Sequence, residues 1–251
     1  MPSTVTLLGI EGLPEVEPGA DLGALIAEAA AGQGTPLANG DVLVVTQKVV
    51  SKAEGRITDL RTVTPSALAQ SYADAWDKDA RVVEVALREA VRVVRMEAGV
   101  LITETRHGFR CANSGVDASN SGSTHTVVLL PEDADASSRA MRQRVRELCG
   151  VDIAVIVSDT FGRPWREGAE NVAVGVAGME AVLDYRGQYD SDGRELMSTT
   201  IAIADELAAA SELVTHKLAR TPAAIIRGYV YPAGDSGVAP LLREREKDLF
   251  R

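Results

Sequence analysis

Apolar positions along the chain fall into short β-branched runs that alternate with stretches of helical spacing. The runs at 5–10, 42–45, 100–105, 126–130, 151–157 and 223–230 predict strands, the one at 151–157 most strongly. The spacing over 22–31 predicts a helix with Asp21 as its N-cap, and Pro65 and Ser66 open a polar helix to about Trp76. A second, Arg-rich amphipathic stretch covers 79–96. Helices are also predicted over 137–148 and over the Ala-rich 201–218. Gly12-Leu13-Pro14, Asn39-Gly40-Asp41 and Gly55 punctuate the pattern as turns. Strands alternating with helices imply a mixed α/β (α+β) architecture.

The familiar nucleotide signatures are missing. No G-x-G-x-x-G follows a strand and no G-x-x-x-x-G-K-[ST] occurs, so the fold is neither Rossmann nor P-loop. H-E-x-x-H and G-x-S-x-G are absent as well. His107, His125 and His216 lie too far apart for metal-ligand spacing.

Composition narrows the classes. With 36 Asp and Glu against 26 Lys and Arg, the net charge of −10 argues against nucleic-acid or anionic-membrane binding, which needs a cationic footprint. Two cysteines, Cys111 and Cys149, form no metal motif and no disulfide framework. Without a signal peptide or membrane-length apolar run, a cytoplasmic protein is expected. Aromatics make up only 4% of residues, so the core must be built of Val, Ala, Leu and Ile.

Three polar clusters carry candidate chemistry. The first, 46–56, follows a buried strand and offers Lys48 and Lys52 as point charges for phosphate, with the Ser51 hydroxyl beside them. A solvated basic turn is the plain alternative. The second, 106–120, is a long loop holding Asn113, Asp117, Ser119 and Asn120, hard donors suited to Mg²⁺ or Mn²⁺ and a bound phosphate. An Asx-rich turn satisfying its own backbone reads equally well. The third, 158–168, is read as a strand-end loop. Its Asp159-Thr160 pair can hold a cation, Gly162 and Pro164 shape a tight turn, and Arg163 and Arg166 present forks to carboxylate or phosphate. The acidic stretch 183–193 lacks the alternating ligands of a calcium loop.

Taken together, three motifs in order make the chain resemble the coenzyme F420-0:γ-glutamyl ligase family: G-D-V-L-V-V-T with V-V-S-K-A-E-G-R at 40–56, R-H-G-F with N-S-G-V-D-A-S-N at 106–120, and S-D-T-F-G-R-P-W-R at 158–166. The resemblance implies a two-lobed ligase fold forming an intertwined dimer, with the site near the subunit interface. It implies GTP-dependent addition of L-glutamate to coenzyme F420-0 through a γ-linked amide. It also implies Mg²⁺ or Mn²⁺ and stimulation by K⁺. Carried over by position, Leu13, Pro14, Glu15, Val16, Gln47, Lys52 and Asn120 match GTP contacts, and Asp117, Asp159 and Thr160 match metal positions. Gln47 departs from the Ser or His familiar there. Arg163 and Arg166 are assigned to anionic substrate groups, and Lys52, Asp117 and Asp159 to the chemistry.

The expectation is one ligase domain over 1–251, divisible into two subdomains, without the C-terminal flavin-dependent reductase domain that some relatives carry. Two other readings stay open: a nucleotide-dependent carboxylate–amine ligase of the same fold with another acceptor, and a nucleotide-binding domain without turnover.

Overall fold

Residues 4–118 and 125–249 are described in the computed structural model of the chain. Strand β1 (Thr6–Ile10) leads to helix α1 (Leu22–Gly32), and β2 (Val42–Thr46) runs directly into α2 (Gln47–Ala53). Next come β3 (Ile57–Asp59), α3 (Ala67–Trp76), α4 (Ala80–Glu89), β4 (Ala90–Glu97), β5 (Val100–Thr105) and β6 (Arg110–Ala112). The remaining elements are β7 (Thr126–Val128), α5 (Ala134–Cys149), β8 (Ala154–Arg163), β9 (Arg166–Ala177), β10 (Leu183–Asp184), β11 (Thr200–Ile201), α6 (Ile203–Thr215) and β12 (Ala223–Arg227). The architecture is mixed α/β. None of the described helices is long and apolar enough to cross a membrane.

The site is framed by a five-stranded sheet ordered β1-β12-β2-β8-β9, in which only β2 and β8 run parallel. Strand periodicity sends Leu43 and Val45 to one face, where they pack with Ile26 of α1 and Met141 and Val145 of α5. Val42 and Val44 point the other way, onto Ile203, Leu207 and Ala208 of α6. Both faces are therefore covered, which is why β2 is an unbroken apolar run rather than an alternating one. Gly175 admits α5 to close contact, since a Cβ there would stand 2.3 Å from the Ala134 carbonyl oxygen. A separate apolar cluster joins α3, α4, β5 and β7 through Tyr72, Val83, Leu101 and Val127.

Several elements differ from expectation. The amphipathic stretch 79–96 is helical only to Glu89 and continues as β4. Val91, Val93 and Val94 favour a strand, and Ala98 and Gly99, both at positive φ, turn it back onto β5 as a hairpin. The basic cluster after β2 is the helix α2, not a turn. Within 106–120 the chain forms β6 and a 3₁₀ turn over Asn113–Gly115; Ser119 and Asn120 lie outside the described residues.

The largest difference is at 158–168, which is not a loop. Strand β8 continues to Arg163, turns at Pro164 and Trp165, and returns as β9. Gly162 lies within the strand. Backbone pairing with β9 satisfies the polar segment, so it needs no apolar signature to be extended.

Candidate active site

A cleft of about 640 Å³ opens at the C-terminal ends of the parallel strands β2 and β8, the usual position for a ligand in an open α/β sheet. Leu13, Pro14, Glu15 and Val16 form one wall, and Gln47, Lys48 and Lys52 of α2 another. Asp117, Ser158, Asp159 and Thr160 lie across from them, and Thr215 at the end of α6 with residues 216–218 and 220–222 after it closes the remaining side.

Each polar side chain has a definite environment. Lys52 is 7% exposed, and its Nζ meets Glu15 Oε1 at 2.5 Å. The hydrogen bond and charge of Lys52 hold the Glu15 carboxyl below its ordinary range. Gln47, almost wholly buried, donates from Nε2 to Ser51 Oγ at 2.5 Å and to the Leu129 carbonyl at 2.8 Å. Its amide protons are thus engaged within the protein. The Lys48 ammonium lies 2.7 Å from Asp117 Oδ2. Asp117 is itself pinned to Val128 by reciprocal backbone hydrogen bonds, which carry it from the described edge of the long loop into the cleft.

Asp159 is a perturbed acid within the cleft. Burial pushes its carboxyl up to about 6, and the neighbouring Asp117 adds to the rise; the Thr160 N–H, donating to Oδ1 at 2.8 Å, with Lys217 and Lys48, opposes it. A carboxyl so placed gains from a cation. Two carboxylates and a hydroxyl line the cleft as hard-oxygen donors of the kind that would fit Mg²⁺ or Mn²⁺. Among the described residues no group of three or more His, Cys, Asp or Glu is disposed to hold a metal by itself.

Thr160 donates from Oγ1 to Asn171 Oδ1 at 2.7 Å, and Asn171 Nδ2 donates to Glu212 Oε2 at 3.0 Å. Ser158 Oγ is buried at the cleft and has no hydrogen-bond partner among the described residues. Cys111 is no nucleophile: burial pushes its thiol up to about 12.

The cleft therefore gathers Leu13, Pro14, Glu15, Val16, Gln47, Lys52, Asp117, Asp159 and Thr160. It does not include Arg163 or Arg166. The Arg163 guanidinium bonds Glu170 at 2.8 Å and the carbonyls of Gly168 and Glu167, and Arg166 is exposed near the hairpin tip. Sequence reading missed Ser158, Asn171, Glu212 and the segment after α6, where Lys217 and Arg220 line the cleft and His216 and Arg220 hold positive φ. Non-glycine residues in that conformation mark a constrained turn.

The sequence matches the F420-0:gamma-glutamyl ligase family over residues 11–228. It is 44% identical over 250 residues to the coenzyme F420:L-glutamate ligase of Methanothermobacter thermautotrophicus, covering 98% of this chain and 99% of that protein. The like-named enzyme of Methanopyrus kandleri is 46% identical over 252 residues, with 97% and 98% covered. That of Haloarcula marismortui is 42% identical, with 98% and 95% covered. An α/β ligase is thus the class in hand. The chain belongs to the F420-0:gamma-glutamyl ligase family.

Proposed function

We propose that this protein joins L-glutamate to coenzyme F420-0 through a γ-linked amide at the expense of GTP, in the cytoplasm, as a homodimer. Mg²⁺ or Mn²⁺ and K⁺ complete the assignment. The observation that supports it best is the convergence of Asp117, Asp159 and Thr160 with Lys48 and Lys52 in one cleft of a family member.

A carboxylate is a poor acylating agent, so the acceptor must first be activated. Transfer of the GTP γ-phosphoryl group to the acceptor carboxylate forms a C–O–P linkage and releases GDP. The glutamate amine then attacks the acyl carbon, phosphate leaves, and the amine loses its proton. Phosphoryl transfer asks the protein chiefly for positioning and charge stabilisation. Lys52 would exchange Glu15 for a phosphate oxygen on nucleotide binding, and Asp117, Asp159 and Thr160 would hold the divalent cation, which neutralises phosphate charge when bound. We assign the anionic groups of acceptor and glutamate to Lys217 and Arg220, inside the cleft, in place of Arg163 and Arg166.

Mass spectrometry of the product from F420-0, GTP and glutamate tests the reaction; a mass gain of one glutamyl unit dependent on GTP is expected. With ¹⁸O in the acceptor carboxylate, one label should appear in the released phosphate. Product formed without transfer of label would exclude the acyl phosphate.

A further inference from the structure

We propose that Glu212 is a positioning residue that sets the polarity of the Thr160 hydroxyl, acting through Asn171. The inference rests on the reading above that Thr160 ligates a divalent cation.

The chain of hydrogen bonds has one consistent direction. An ionised carboxylate can only accept, so Glu212 Oε2, 3.0 Å away, requires the Nδ2 side of the Asn171 amide to face it. Asn171 Oδ1 must then face Thr160, 2.7 Å distant, and an amide oxygen also only accepts. The single hydroxyl proton of Thr160 is thereby spent on Asn171. Its lone pairs are left for the cleft, which is what a cation requires. An unanchored Asn171 could turn its amide over, donate to Thr160, and send the hydroxyl proton into the cleft against a bound cation.

The arrangement is built into the fold at three points. Thr160 and Asn171 are directly paired residues on β8 and β9. Asn171 is 4% exposed, so its amide is shielded from competing water. Glu212 comes from α6, where Thr215 Oγ1 contacts the same Oε2 at 3.4 Å. All four side chains line the cleft.

The test measures binding of Mn²⁺ alone, from the paramagnetic resonance signal of the free ion, in the full-length protein. Glu212→Met removes the acceptor while keeping the length of the side chain, and should weaken Mn²⁺ about tenfold, the scale of an outer-shell partner. Glu212→Gln retains an oxygen able to accept from Asn171 and should recover most of that loss. In a Thr160→Val background, Glu212→Met should cost nothing further, because the relay has lost its end. Three results would overturn the proposal. Equal losses for Met and Gln would mean that Glu212 acts by its charge. An undiminished loss in the Thr160→Val background would mean that it acts elsewhere, and unchanged Mn²⁺ binding in Glu212→Met would mean no role. If Thr160→Val alone leaves Mn²⁺ binding unaltered, the cation reading of Thr160 falls and the relay with it.

Discussion

Lys48 and Asp117 meet at 2.7 Å across the cleft, joining α2 to the segment bridged onto β7. A lysine expected to serve phosphate and an aspartate expected to serve a cation are thus in contact with each other. The ammonium occupies a position at Asp117 that a divalent cation would contest. Lys48→Met should therefore tighten Mn²⁺ binding about two- to fivefold, the range for a partly exposed ion pair, while lowering turnover. Calorimetric titration with Mn²⁺ beside steady-state kinetics would check both; weaker Mn²⁺ binding would show that Lys48 does not compete.

Asp159 links the site to pH. Its carboxyl, ordinarily 3.8, is pushed up to about 6 by burial, so between those values the folded protein keeps a proton that the unfolded chain has lost. Stability from this group consequently falls as pH rises from about 4 to 6, and is level above. Asp159→Asn removes the buried charge. In metal-free protein the variant should match wild type near pH 4 and exceed it by about 1–3 kcal/mol at pH 7. Urea unfolding with a chelator present reads the difference, and a pH-independent difference would refute the assignment. The same variant should lose most ligase activity at limiting Mn²⁺, as should Asp117→Asn.

Lys52→Ala should weaken GTP about 10- to 100-fold and leave the KM for glutamate nearly unchanged, since a charge-assisted hydrogen bond is worth about 1.5–3 kcal/mol. Glu15, its present partner, has a side chain 61% exposed and remains hydrated when the lysine is gone. The fold should therefore survive, as a thermal unfolding midpoint would show. Unaltered nucleotide affinity would confine Lys52 to a structural pair with Glu15.

Assembly is open to a direct measurement. If the proposed homodimer completes the site, specific activity should fall on dilution in parallel with the loss of dimer seen by light scattering. A fully active monomer would remove the shared site and leave the ligase assignment standing.

The sequence by itself determined the buried strand β2, the capped helix α1, the Asp159-Thr160 pair at the cleft and the family to which the chain belongs. These are local or near-local properties: a β-branched run, an Asp able to accept from an N–H three residues on, and short motifs of fixed spacing. Tertiary structure alone decided the rest. Polar residues 158–171 carry no periodic apolar signal, so their extension into β8 and β9 depends on pairing between the strands. The same pairing takes Arg163 out of the cleft, onto Glu170, and sets Asn171 beside Thr160. Glu212, 41 residues beyond Asn171, reads in sequence as one acid on an Ala-rich helix. Its relation to Thr160 exists only because α6 packs on β9, a contact set by buried apolar area, to which a single carboxylate contributes nothing that a sequence pattern could register.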